Sequence, residues 1–70
     1  MAYPSSMPQE HDCVRLIEAV TENGENFPAG TTGIVVNIYN GGEAFEVEVI
    51  KSCHESNVIT VRAPQLEKLT

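Results

Sequence analysis

With 70 residues, ten acidic against four basic and a net charge of −6, the chain holds one small domain with little room for a core. A core this small gives modest stability, so pairing with a copy or a partner is expected. Nucleic acid is disfavoured, because phosphates are held by Lys and Arg and here Arg15, Lys51, Arg62 and Lys68 form no basic run.

The acidity suits solubility or a basic protein partner. Cys13 and Cys53 make no disulfide framework, and the first residues lack the basic and apolar regions of a secretion signal. No apolar stretch approaches the roughly 20 residues of a membrane span. The expectation is a cytoplasmic chain with free thiols and no membrane partner.

Residues 1–10 contain two prolines and two serines without periodicity and read as a flexible leader before a single domain at 11–70. Residues 12–20 alternate imperfectly, with Val14, Leu16 and Val20 on one face, interrupted by Glu18, and Cys13, Arg15, Ile17 and Ala19 on the other. A helix could be drawn through Val14, Ile17 and Glu18, but the short length and β-branched content favour a strand. Residues 21–26 read as a polar loop anchored by Phe27. Pro28-Ala29-Gly30-Thr31-Thr32-Gly33 is a turn in which both glycines are expected at positive φ, so that Gly33→Val would be damaging.

A second strand spans 32–39, with Ile34, Val36 and Ile38 on one face and Val35, Asn37 and Tyr39 on the other. Asn40-Gly41 is the hairpin signal, since Asn-Gly readily takes the paired positive φ of a type I′ turn. The third strand, 44–51, turns Phe45, Val47 and Val49 one way and Glu46, Glu48 and Ile50 the other. Residues 52–57 form a loop and 58–62 a fourth strand stopped by Pro64. Residues 64–69 hold either a short helical turn, with Leu66 and Leu69 on one side, or a turn leading into a fifth strand. Five short antiparallel strands at this length are best satisfied by a bent, self-closing sheet, an all-β SH3-like barrel.

Four blocks stand in an order that resembles a family of short bacterial proteins defined only as a domain of unknown function. They are Asp12-Cys13-Val14-Arg15-Leu16, Gly30-Thr31-Thr32-Gly33-Ile34-Val35-Val36, Ala44-Phe45-Glu46-Val47-Glu48-Val49 and Leu66-Glu67-Lys68-Leu69. The resemblance covers residues 10–70 and implies a compact SH3-like barrel, with no catalytic residues to carry over. The glycine turn is also similar to that of KOW-type barrels, which bind nucleic acid or ribosomal partners. The basic residues expected for that activity are lacking here.

Among chemistry-bearing residues, His11, Cys13, Cys53 and His54 are the soft ligand types, yet they lack the Cys-x-x-Cys spacing of a zinc site. A Cys–His nucleophile would need Cys53 and His54 to face one another, whereas adjacent residues usually point apart. Glu46 and Glu48, about 7 Å apart on one strand face, have the types of an acid–base pair but read first as a solvated face that deters aggregation.

With Ile38 and Val49 inward, Val35, Tyr39 and Ile50 would form an exposed apolar patch beside Glu46 and Glu48, unless the bend of the barrel buries them or the leader covers them. The expected function is a non-enzymatic protein-interaction module, and these five residues are its contact surface. Its partner would be a second copy, giving a dimer, or another protein; an antidote-type protein neutralising a basic partner is a subordinate version. The alternative is a small metal- or thiol-dependent domain using Cys13, Cys53 and His54. A further alternative is a nucleic-acid-binding KOW-like barrel. No cofactor is expected.

Overall fold

The structure is a computed structural model that describes residues 7–69. In chain order its strands are β1 (Cys13–Leu16), β2 (Val20–Glu22), β3 (Glu25–Phe27), β4 (Thr32–Tyr39), β5 (Ala44–Ser52), β6 (Glu55–Arg62) and β7 (Leu66–Lys68). A 3-10 turn, Ala63–Gln65, leads into β7. The all-β reading therefore holds. The C-terminal segment takes the second of its two alternatives, a turn followed by a strand. Residues 1–6 of the expected leader lie outside the described residues, whereas Pro8, at its end, is buried.

Five strands make one antiparallel sheet in the order β6-β5-β4-β1-β7, and β2 pairs with β3 as a separate hairpin. The sheet does not close on itself, because β6 and β7 remain its two edges. Side chains cover part of the β6 edge instead. The Thr60 N–H donates to Glu22 Oε1 at 3.0 Å, and the Arg62 N–H donates to Gln65 Oε1 at 2.9 Å. Asn57 Nδ2 donates to Glu25 Oε1 at 2.8 Å, and Lys51 Nζ pairs with the other oxygen of Glu25. The β2–β3 hairpin is thus latched across β5 and β6 by two carboxylates, which blunts an edge that could otherwise recruit a foreign strand.

The strand expected at 12–20 is interrupted. β1 ends at Leu16, residues Ile17, Glu18 and Ala19 turn the chain, and Val20 opens β2. Val14, Leu16 and Val20 are all buried, as the alternation requires. The polar loop expected at 21–26 is in fact the β2–β3 hairpin. Glu22 pairs with Glu25, and the two residues between them, Asn23 and Gly24, have φ of 54° and 79°. That is the type I′ signature. The turn at Asn40-Gly41 also has positive φ, at 51° and 68°, within a four-residue connection between paired Tyr39 and Ala44. The loop expected at 52–57 contracts to Cys53 and His54, because β6 already begins at Glu55.

The register of β4 corrects one expectation that matters for function. Val35 pairs with Val47 and Asn37 pairs with Glu46, so Val36 is an extra residue, a β-bulge. A bulge reverses which side of the strand faces the core. Before it, Val35 points inward and is 0% exposed; after it, Ile38 points inward and Tyr39 outward. Val35 is therefore a core residue and not part of an exposed patch. Its backbone is satisfied across the bulge, accepting from the His11 N–H at 2.7 Å and donating to the Asp12 carbonyl at 3.0 Å.

The centre of the core is Phe45, Ile59, Val14, Val35, Val47 and Val61. Gly33 is also corrected: it lies within β4 and its φ is not positive, unlike Gly30 at 93°. Glycine is needed at 33 for room, since a Cβ there would stand 2.6 Å from Val47 Cγ1 and 2.7 Å from the Glu48 carbonyl oxygen.

Candidate functional site: the outer face of the sheet

The alternation that buries Phe45, Val47 and Val49 turns Glu46, Glu48 and Ile50 outward from β5. Pairing then carries a row across four strands, Cys13 on β1, Ile34 on β4, Glu48 on β5 and Val58 on β6. Directly opposed side chains on one sheet face are neighbours, with Cβ atoms roughly 4.5–5.5 Å apart. Ile34 is 39% exposed and Val58 48%, and Ile50, two residues along β5 from Glu48, is 59% exposed. Three aliphatic side chains thus surround one carboxylate. Among the described residues, that carboxylate makes no hydrogen bond or ion pair.

Two shallow depressions flank Ile50. One, of about 350 Å³, is lined by Cys13, Ile34 and Leu69; the other, of about 360 Å³, is lined by Ser52, Cys53, His54 and Glu55. Glu48 and Ile50 line both. Ile50 is therefore a ridge between an apolar hollow and a polar one.

At the other end of the face, Tyr39 pairs with Ala44 and Asn37 with Glu46. Tyr39 is 38% exposed, and its hydrogen bond to the Glu46 carboxylate pushes the phenol's pKa above its ordinary value. Glu46 and Glu48 are both half-buried and project from the same face. Of the five residues expected to form the surface, Tyr39, Glu46, Glu48 and Ile50 do share it, and Val35 is replaced by Ile34 and Val58. Ile34 was hidden by the bulge, which no residue in the run Ile34-Val35-Val36 announces. Val58 was legible as a strand residue, but its face depends on the pairing with Glu48.

The second constellation is spread out. Cys13 is exposed on β1, while Cys53 and His54 occupy the β5–β6 turn. Among the described residues, no group of three or more His, Cys, Asp or Glu side chains is placed to hold a metal ion. Three of the four cations are in ion pairs. Arg15 meets Glu67 at 2.6 Å, Lys68 meets Asp12 at 3.6 Å and Lys51 meets Glu25. The Lys51 ammonium holds the Glu25 carboxyl below its ordinary range. Among the described residues, no helix is long and apolar enough to cross a membrane.

Comparison with protein-family models, curated proteins and solved structures finds no match.

Proposed function

We propose that this chain is a non-enzymatic protein-interaction module that binds through the outer face of β4, β5 and β6. The observation that carries the reading is the contiguous exposure of Ile34, Ile50 and Val58 around Glu48, on one sheet face and next to two hollows. Small soluble domains gain nothing from presenting aliphatic side chains together unless something covers them. We further read the architecture as SH3-like, supported by the order β6-β5-β4-β1-β7, the hairpin arm between β1 and β4, and the 3-10 turn before β7. Membership of the bacterial domain-of-unknown-function family and a cytoplasmic home complete the reading; the two exposed free thiols fit a reducing compartment.

The test is site-specific photocrosslinking in cells that express the protein. A photoreactive residue replaces Ile50 on the face or Ala29 in the turn before β4. Adducts to another protein from position 50 and not from 29 support the reading. Adducts between two copies from position 50 give its self-association form. Equal yields from both positions, or none from 50, overturn it.

A further inference from the structure

We infer that the partner of this face is a cationic segment of another protein that presents an aliphatic residue beside a Lys or Arg. The inference rests on the reading of the face as a docking surface and adds the chemistry of what docks. Its basis is charge complementarity combined with shape. Glu48 is half-buried and is bordered on the outer face by the aliphatic side chains of Ile34, Ile50 and Val58. Among the described residues, no Lys or Arg side chain pairs with it: Arg15, Lys51 and Lys68 are engaged elsewhere, and Arg62 stands opposite Ala44, at the far end of the face. A guanidinium or ammonium from outside would supply the missing charge. Its aliphatic stem would lie along Ile50 or Val58.

The two hollows divide the work. The hollow beside Cys13, Ile34 and Leu69 suits an aliphatic anchor, and the one beside Glu55 and His54 lies next to the same Glu48 carboxylate. A second copy of this chain fits less well. Two such faces would oppose Glu46 and Glu48 with their own counterparts, in a protein that already carries a charge of −6.

The experiment is an amide NMR titration of the full chain with three synthetic peptides: alternating Leu–Lys, alternating Leu–Glu and oligolysine. Shifts at Ile34, Glu48, Ile50 and Val58 with Leu–Lys are expected, weakening as salt rises. Glu48→Gln should weaken that binding roughly three- to tenfold, whereas Glu10→Gln, outside the sheet, should not. If Leu–Glu binds the face equally, or Glu48→Gln has no effect, the cationic partner is refuted while the docking surface stands. If oligolysine binds as well as Leu–Lys, or shifts appear everywhere, the binding is unspecific attraction to an acidic protein and the inference fails. If the same amides shift on concentrating the protein alone, a second copy is the occupant. If nothing perturbs this face, the docking reading fails with the inference.

Discussion

Replacing Gly33 by alanine adds one methyl group where β4 and β5 leave no room for it. The added Cβ would stand 2.6 Å from Val47 Cγ1, 2.7 Å from the Glu48 carbonyl oxygen and 3.3 Å from its carbon. Val47 is buried and stiff at χ1, and the Glu48 contact is backbone, so neither neighbour can yield cheaply. Relief must come from β4 moving away from β5. Overpacking of this kind costs about 1–3 kcal/mol, of which the better strand propensity of alanine returns roughly 0.5–1. A 70-residue chain has about 4–10 kcal/mol in total, so a net loss of about 1 kcal/mol is a sizeable fraction of it. The expected fall in melting temperature is roughly 4–8 °C, read by far-ultraviolet circular dichroism and repeated by urea titration with an unchanged m-value. Asparagine separates steric crowding from backbone strain. It tolerates positive φ better than alanine but is larger, so Gly33→Asn should be worse than Gly33→Ala if space is the constraint. An asparagine variant more stable than the alanine one, or an alanine variant within about 0.5 kcal/mol of the parent, would refute the reasoning.

The bulge makes a paired prediction: Val35→Ala should lose about 2–3 kcal/mol, two buried methyl equivalents plus a cavity, whereas Ile50→Ala should stay within about 0.5. Chemical denaturation decides it, and the reverse order would remove the bulge. Acid should loosen the hairpin latch. The folded pKa of Glu25 is depressed by Lys51, so its contribution is complete above the ordinary carboxylate range and is lost as pH falls through that lower folded value. Both groups are exposed, so the effect is small and screened by salt; Lys51→Met should move the Glu25 carboxyl NMR midpoint upward, and an unmoved midpoint counts against the latch. The Tyr39 phenol has a raised folded pKa, so the stabilisation from its bond to Glu46 is present below the ordinary tyrosine value and lost as pH rises through the folded one. Ring resonances of Tyr39 should titrate late in the parent and earlier in Glu46→Gln; identical curves would dissolve the pair.

What was legible in the residues follows from how strongly each segment alternates. β5 could be read almost to its ends because Phe45, Val47 and Val49 alternate with Glu46 and Glu48, leaving one choice of buried face. β4 was bounded correctly at 32–39, yet Ile34, Val35 and Val36 are all apolar, so neither phase was penalised and the bulge stayed invisible. The β2–β3 hairpin carried the same Asn-Gly signal as the next turn. Its strands are three residues each and mostly polar, too short for periodicity to register. Gly33 looked like half of a turn because Gly30 is one, and only the approach of β5 reveals its other purpose. For the site, composition pointed to acidic and aliphatic residues on one face; which aliphatics were exposed depended on register, which a single sequence does not display.

The pairing of β1 with β7 joins residues far apart in sequence, as the hydrogen bond from Arg15 to Glu67 across 52 positions illustrates. β4, β5 and β6, by contrast, form a meander of neighbours connected by short turns. Loop-closure entropy delays distant pairings, so the meander is expected to form first and β1 to dock onto it. On the ribosome, β1 emerges before both of its neighbours, β4 and β7, and waits for the second until β7 has been made. Ile34, Glu48, Ile50 and Val58 of the proposed docking surface belong to the part of the molecule that forms without that wait, whereas the hollow beside them is completed only when Cys13 and Leu69 arrive with β1 and the residue after β7. Substitutions along β1 and β7 should accelerate unfolding far more than they slow folding.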